Sequence, residues 1–522
     1  MSMELTYIVL IILAVIYVPL FLYVKFGKKL EEKGLVPYGP CIMIRTKLGI
    51  KLIDRWGKYK RFWRACGIMS RFVTLALMAY IVAIIIVDLI LLPSAIGKGG
   101  MGIEYALAIP GLNPMLPIVY GWIGLIIAMV VHELAHGMQS KANDIPVDST
   151  GLLYCVVPVG AFVEPNEEVI EKSSRKARMD LYAAGITTNF ILALITFILM
   201  FSMVSGTVTS DYDDNPAFYA FTKDSPLMEY NIPTTAIVTE IDGMKITGYD
   251  AFYDHINTKG FGQYSLTYVY NNEKPKYLAS VTLGTYVNNV TKDSPAEKRG
   301  IEKGDYIISL KEDASDPVLI GFPDTMTTFL KNTTSGQIIS ITYYDSSETD
   351  PALKVKTIDD FELGNNNGIG FIGVSTTMAG TTFTTPNDIL NAGIDPYYGA
   401  TDLKGYVNGT ISYLAAAFNG FSPVPESTHW WYHGTFIDGD ALWIIIALLY
   451  WIFWLNIVLA VTNALPAVPF DGGFLFAGGV EFIVEKFVKQ EEKKDRIVNT
   501  IAAATTYFML LALVLVLVVI IF

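Results

Sequence analysis

Val131-His132-Glu133-Leu134-Ala135-His136-Gly137 lies at the inner end of a long apolar run, and the organisation of the chain follows from how these seven residues are read. On a helix His132 and His136 are one turn and a fraction apart, so both imidazoles face the same way and can ligate one Zn²⁺. Glu133 stands beside them to take a proton from a bound water. The competing reading is an ordinary helix with two buried, hydrogen-bonded histidines. The chain has only five His, which makes an accidental H-E-x-x-H rare. Ionisable residues inside an apolar segment are also costly and usually functional. The metal reading is therefore preferred.

The rest of the chain places this site in lipid. Of 522 residues 52% are apolar and only 17% charged, too hydrophobic for a soluble protein and long enough for several domains, which predicts a multi-pass membrane protein. Cys41, Cys66 and Cys155 cannot all pair and lack metal-ligand spacing, so no disulfide framework is implied. A net charge of -12 argues against nucleic acid as a partner.

Apolar runs mark about six spans. Leu5 to Tyr23 is long enough to cross roughly 30 Å of hydrocarbon. Its basic residues, Lys25, Lys28 and Lys29, follow rather than precede it, the reverse of a cleavable signal peptide. It reads as an anchor with the N-terminus outside. A loop with Arg45, Lys47, Lys51, Arg55, Lys58, Lys60, Arg61 and Arg64 belongs on the cytoplasmic side. Phe72 to Leu92 returns outward, residues 93–117 form an outer loop, and Ile118 to about Ser140 crosses inward with the motif, His132 lying roughly 22 Å below the outer surface. Thr150 to Val163 is β-prone and glycine-bounded, a candidate hairpin dipping towards the site, where its free edge is available to an extended peptide. Leu181 to Val204 crosses outward and carries Ala184-Gly185-Ile186-Thr187-Thr188-Asn189, small residues for close helix contact and an Asn that needs a partner.

From about Gly206 to Asp440 the chain is soluble in character, with about 30 acidic against about 14 basic residues. Lys223-Asp224-Ser225-Pro226 recurs 69 residues later as Lys292-Asp293-Ser294-Pro295, which predicts two small repeated domains on the outer side. The second copy, with Ser294-Pro295-Ala296 and Gly304-Asp305, resembles the PDZ pattern, which would put a peptide groove along Thr285 to Val290 and admit peptide C-termini, with a purely steric role for both modules as the competing reading. The first copy has Pro233-Thr234-Thr235 in place of Gly-Asp. Tyr406 to Phe421 reads as an interfacial helix. His429-Trp430-Trp431-Tyr432-His433 repeats the histidine spacing without the Glu, and its aromatics suit the headgroup belt better than a metal.

Ala441 to Thr462 crosses inward and breaks at Asn463-Ala464-Leu465-Pro466-Ala467-Val468-Pro469-Phe470-Asp471-Gly472-Gly473, and Ile501 to Phe522 leaves again. A catalytic zinc takes three protein ligands and an open position. Asp471, an expensive carboxylate at the depth of His132, is the candidate third ligand, with helix capping as the competing role.

The combination of His132-Glu133-Leu134-Ala135-His136, Ala184-Gly185-Ile186-Thr187-Thr188-Asn189 and the Asn463–Gly473 element resembles the site-2 protease family of intramembrane zinc metalloproteases (the M50 type). The PDZ-like insert is similar to that of bacterial members, while Phe162-Val163-Glu164-Pro165 and the basic first loop look more like archaeal relatives. Ile186 departs from the family, which usually has Pro there. The resemblance implies one Zn²⁺ per chain on His132, His136 and Asp471, with Glu133 as general base and then acid. It gives Asn189 and Asn463 the task of holding the substrate backbone or oxyanion. The substrates implied are transmembrane segments of proteins in the bilayer, cut after an earlier extracytoplasmic cleavage, with the active site towards the cytoplasm. A catalytically inactive PDZ-bearing scaffold is the alternative; a zinc transporter or sensor fits poorly, because no further intramembrane His or Asp ladder accompanies the site. The expected fold is a multi-pass α-helical membrane protein with an extracytoplasmic, β-rich α+β insert of tandem PDZ-like domains. Its divisions are residues 1–117, 118–205, 206–284, 285–378, 379–440 and 441–522.

Overall fold

Segments too apolar for water must satisfy their backbone internally, and the computed structural model shows them as helices. It describes residues 3–521 apart from 28–29, 32–33, 96–109, 112, 115, 313–314 and 417–422. Among the described residues five helices are long and apolar enough to cross a membrane. The chain begins with α1 (Met3–Phe26), followed by strands β1 (Leu35–Tyr38) and β2 (Cys41–Thr46), α2 (Ile50–Gly57) and α3 (Lys60–Ala95). The basic segment expected as a plain loop is thus two strands, a short helix and the first turns of a span. Most of the expected outer loop at 93–117 lies outside the described residues. The motif helix α4 (Ile118–Ala142) leads into β3 (Val147–Cys155), β4 (Val157–Pro165), α5 (Glu167–Lys172) and α6 (Arg175–Thr207).

The β-prone stretch after α4 is longer than Thr150–Val163 and does not stand alone. The antiparallel order is β1-β2-β3-β4, so β1 and β2 extend the hairpin into a four-stranded sheet whose far edge is β4. The charges of Arg45 and Lys47 at the end of β2 hid these strands, although Cys41-Ile42-Met43-Ile44 is apolar on both faces. Between helices, polar contacts serve where lipid gives no hydrophobic drive. Thr187 Oγ1 donates to the Ser70 carbonyl at 3.2 Å, and half-buried Arg71 with buried Asp180 joins α3 to α6 at 2.8 Å.

The chain divides into two compact units, one of them comprising residues 204–400 and 422–443. In that unit β5 (Val208–Ser210) precedes two copies of one element order. The first is β6 (Ala217–Phe221), a 3₁₀ turn, β7 (Ile237–Ile241), β8 (Met244–Lys245), α7 (Tyr249–Lys259), β9 (Gly262–Val269) and β10 (Lys276–Leu283). The second is β11 (Thr285–Val290), α8 (Pro295–Lys298), β12 (Tyr306–Lys311), β13 (Val318–Leu319), α9 (Pro323–Lys331), β14 (Ile338–Tyr344) and β15 (Val355–Glu362). The repeated Ser-Pro performs the same task in each: Ser225 and Ser294 cap the following turn by accepting a backbone N–H. Thr235, in the place of Gly304, takes the same left-handed backbone, φ 70° against 104°. That is why the first copy folds alike without its Gly-Asp, at the cost of a β-branched residue in an unfavourable region.

A small hairpin, β16 (Gly364–Asn366) with β17 (Ile369–Phe371), follows, and then β18 (Val374–Met378) and β19 (Thr381–Thr384). The last two join the copies into one sheet, ordered β10-β9-β7-β6-β19-β18-β11-β12-β14-β15. β19 pairs with β6 and β18 with β11. The groove expected along Thr285–Val290 is therefore taken: β11 is paired along its length by β18 and at its start by β12. One core gathers around Phe252 and Leu266 and takes in Tyr286, Tyr306 and Phe322 of the second copy, and another gathers around Ile307 and Ile341. The unit also contains α10 (Pro386–Ile394).

α11 (Leu403–Ala416) covers most of the expected interfacial helix, whose residues 417–421 lie outside the described residues. A 3₁₀ turn over Glu426–Trp431 leads to β20 (Tyr432–Gly434), which pairs with β5. The chain ends in α12 (Asp440–Asn463), α13 (Asp471–Val484) and α14 (Glu491–Ile521).

Candidate metal centre

The two histidines of α4 are buried and face the first turn of α13. His132 Nε2 and His136 Nε2 stand 3.0 and 3.1 Å from Asp471 Oδ2, and one ligand atom from each of the three residues lies within 4.8 Å of the others. Ligands about 2.0–2.1 Å from a tetrahedral Zn²⁺ are roughly 3.3 Å apart, so the donor set fits that ion in type and spacing. Asp471 does not cap its helix; the N-cap is Phe470, and no side chain caps there.

Several contacts hold this geometry. His136 Nδ1 donates to the Leu181 carbonyl at 2.8 Å, which puts the free lone pair on Nε2, towards Asp471. α13 is tied to α6 by Arg178–Glu481 at 2.7 Å, by Arg175–Glu485, and by Tyr182 stacked on Phe474 with ring centroids 4.6 Å apart. Gly185 of α6 passes directly behind the ligand nitrogens. A Cβ there would stand 2.5 Å from His136 Nε2 and 2.7 Å from His132 Nε2, so only glycine permits this approach. Ile186, the departure from the family pattern, is fully buried among Leu77, Ala460 and Ala464 and leaves α6 helical.

Asn189, also on α6, is fully buried, with its amide nitrogen 3.4 Å from His132 Nδ1 and its side-chain oxygen unpartnered. Were Nε2 of His132 to ligate a metal ion, its ring proton would sit on Nδ1 and need an acceptor. Turning the Asn189 amide over supplies one and ends the isolation of its oxygen. Glu133 accepts a hydrogen bond from the Val163 N–H of β4 at 2.8 Å, so the sheet meets the site through main chain. Asn463 lines the same cavity, of about 630 Å³, as His132, Glu133, His136, Val163 and Asp471. Its amide donates to the Leu459 carbonyl of its own helix at 3.1 Å. A second, apolar cavity of about 340 Å³, with Leu52, Leu134 and Phe162 in its walls, also reaches Glu133.

The structure thus brings His132, Glu133, His136, Asn463 and Asp471 to one cavity and puts Asn189 behind His132. Gly185, Leu181 and Val163 were not read from the sequence as parts of the site. Gly185 stood among small residues suited to helix contact, but the other two act through backbone atoms that no residue pattern announces. The second histidine pair diverges: His429 stacks on Trp443 at 4.0 Å, while His433 Nε2 is 3.0 Å from Thr209 Oγ1.

A profile of peptidase family M50 matches residues 120–513, and the chain belongs to this family of membrane-embedded peptidases, which includes the site-2 proteases. It is also similar to an uncharacterized protein of Methanocaldococcus jannaschii, 30% identical over 262 residues. That match covers 49% of this chain and 66% of the relative's length.

Proposed function

We propose that the chain is a zinc-dependent intramembrane endopeptidase that cuts transmembrane segments. The observation that carries this reading is the convergence of His132 Nε2, His136 Nε2 and Asp471 Oδ2 in a cavity shared with Glu133. These three side chains would hold the ion, which when bound supplies Lewis-acid chemistry to the scissile carbonyl and makes water more acidic. Glu133 removes the proton of the attacking water and delivers it to the departing amine. The Val163 N–H fixes one of its oxygens and so leaves the other for this work. Asn189 is a positioning residue that orients His132, and Asn463 holds the substrate backbone or the oxyanion from the cavity wall.

β4 is the edge strand of its sheet, and one of its N–H groups already bonds the general base. An unwound substrate segment adds to this edge by main-chain pairing, which carries the bond to be cut towards Glu133. Helices containing Gly, Pro or Asn are the preferred substrates, because they unwind most readily. The membrane part has six spans, counting α1, with the N-terminus and the two PDZ-like domains outside and the site nearer the cytoplasm. Those domains exclude substrates not already trimmed outside the membrane.

The test is cleavage of transmembrane reporter segments in detergent by wild type and Glu133→Gln, with zinc content measured alongside. Retained zinc with cleavage reduced by at least about 10³-fold is expected. No cleavage by wild type across a broad reporter panel would favour the inactive scaffold.

A further inference from the structure

Helix α2 presents three faces. Ile53 and Gly57 point into α4: a Cβ at Gly137, one residue past His136, would meet Ile53 Cδ1 at 2.6 Å, and a Cβ at Gly57 would meet Lys141 Cβ at 2.7 Å. Leu52 and Trp56, a turn apart, are exposed, and the flanking Leu48 and Tyr59 are exposed with them. On the face opposite α4, Lys51, Arg55 and Lys58 follow one another at helical spacing, with Lys47 and Arg61 beyond its ends.

What marks these five cations is that they lie together on one short segment, exposed and without carboxylate partners among the described residues. Neighbouring charges are paired: Asp54 with Lys141 at 2.6 Å, and Lys60 and Arg64 with Asp144. Arg71, Arg175, Arg178 and Lys494 also have carboxylate partners. Among the described residues Lys47, Lys51, Arg55, Lys58 and Arg61 have none. Five exposed cations without carboxylate partners, of which Lys58 lies 5.2 Å from the Tyr59 ring centroid, stand beside an exposed row of Leu, Trp and Tyr. They match the two layers of a membrane surface, phosphate outside and acyl chain within.

We propose that residues 47–61 form a docking surface for anionic phospholipid headgroups. The five cations take the phosphates, and Leu48, Leu52, Trp56 and Tyr59 enter the acyl boundary. Because Ile53 rests on Gly137, the lipid contact also braces α4 beside His136. The inference does not depend on the peptidase reading.

The test places the full chain in vesicles of phosphatidylcholine with a minor fraction of phosphatidylglycerol, bromine quenchers being attached to one lipid or the other at equal mole fraction. The Trp56 signal is the difference between wild type and Trp56→Phe. Brominated phosphatidylglycerol should quench it about twofold more strongly, and high salt should abolish that preference. Replacing Lys47, Lys51, Arg55, Lys58 and Arg61 together by Gln should equalise the two lipids. Equal quenching of wild type at low salt, or a preference that survives high salt, overturns the proposal. The salt comparison decides the matter even if the five-fold variant does not fold.

Discussion

His132 and His136 share their spacing with His429 and His433, yet only the first pair converges on a common point. Both members of the first pair lie within α4, where four residues bring side chains back to one face. The second pair runs from a 3₁₀ turn into a strand, where the same spacing sends the rings apart, one onto Trp443 and the other to Thr209. The surroundings differ too. Opposite the first pair stands a buried carboxylate, and behind it Gly185 and Asn189. Opposite the second are aromatic rings and the Val424 carbonyl, 3.1 Å from His429 Nε2. Spacing alone does not bring two imidazoles to one point; helical geometry does, and only the first pair has a third donor and a supporting layer.

The most severe way to break the contrast is to remove the third donor. Asp471→Ala should leave His132 and His136 as an unused pair, with zinc lost on dialysis and cleavage falling at least about 10³-fold; zinc analysis and the reporter assay check it. Gly185→Ala should come next, because its methyl group enters the space of both ligand nitrogens. Zinc affinity should fall about 100-fold while the helical circular dichroism stays near wild type. Asn189→Leu keeps the volume but leaves Nδ1 of His132 without an acceptor. Zinc affinity should drop about 10-fold, with Asn189→Asp recovering part of it.

The mildest effect belongs to the second pair. His429→Phe should leave zinc content unchanged, since its ring serves packing. Burial holds the His429 pKa below the ordinary histidine range. Its contribution to stability is thus fully present above the unfolded value, about 6.5, and is lost as pH falls below it. The thermal stability of wild type should fall on acidification through that window, and His429→Phe should flatten this part of the profile.

Much of the site was legible because its chemistry is rare where it occurs. Two histidines and a glutamate at helical spacing, and an aspartate after a double-proline break, stand out in apolar sequence, and the structure brings them to one cavity. The hairpin after α4 was legible from its glycines and β-branched residues. Its partners β1 and β2 were not, because Arg45 and Lys47 made the segment read as loop. The supporting contacts were hidden for another reason: the Leu181 carbonyl and the Val163 N–H belong to the main chain, and any residue supplies them. In the other unit the 69-residue echo exposed the repeat. The pairing of β18 and β19 with both copies depends on long-range register, which local patterns do not encode.

That shared hairpin also governs the order in which the chain is completed. β6 and β11 are made early, but the strands that cover them, residues 374–384, leave the ribosome only after both copies. Until then each half-sheet carries an open edge, the kind that attracts strands from other chains. Nascent chains stalled before residue 374 should therefore be the most prone to self-association, and those stalled well beyond residue 384 should be protected.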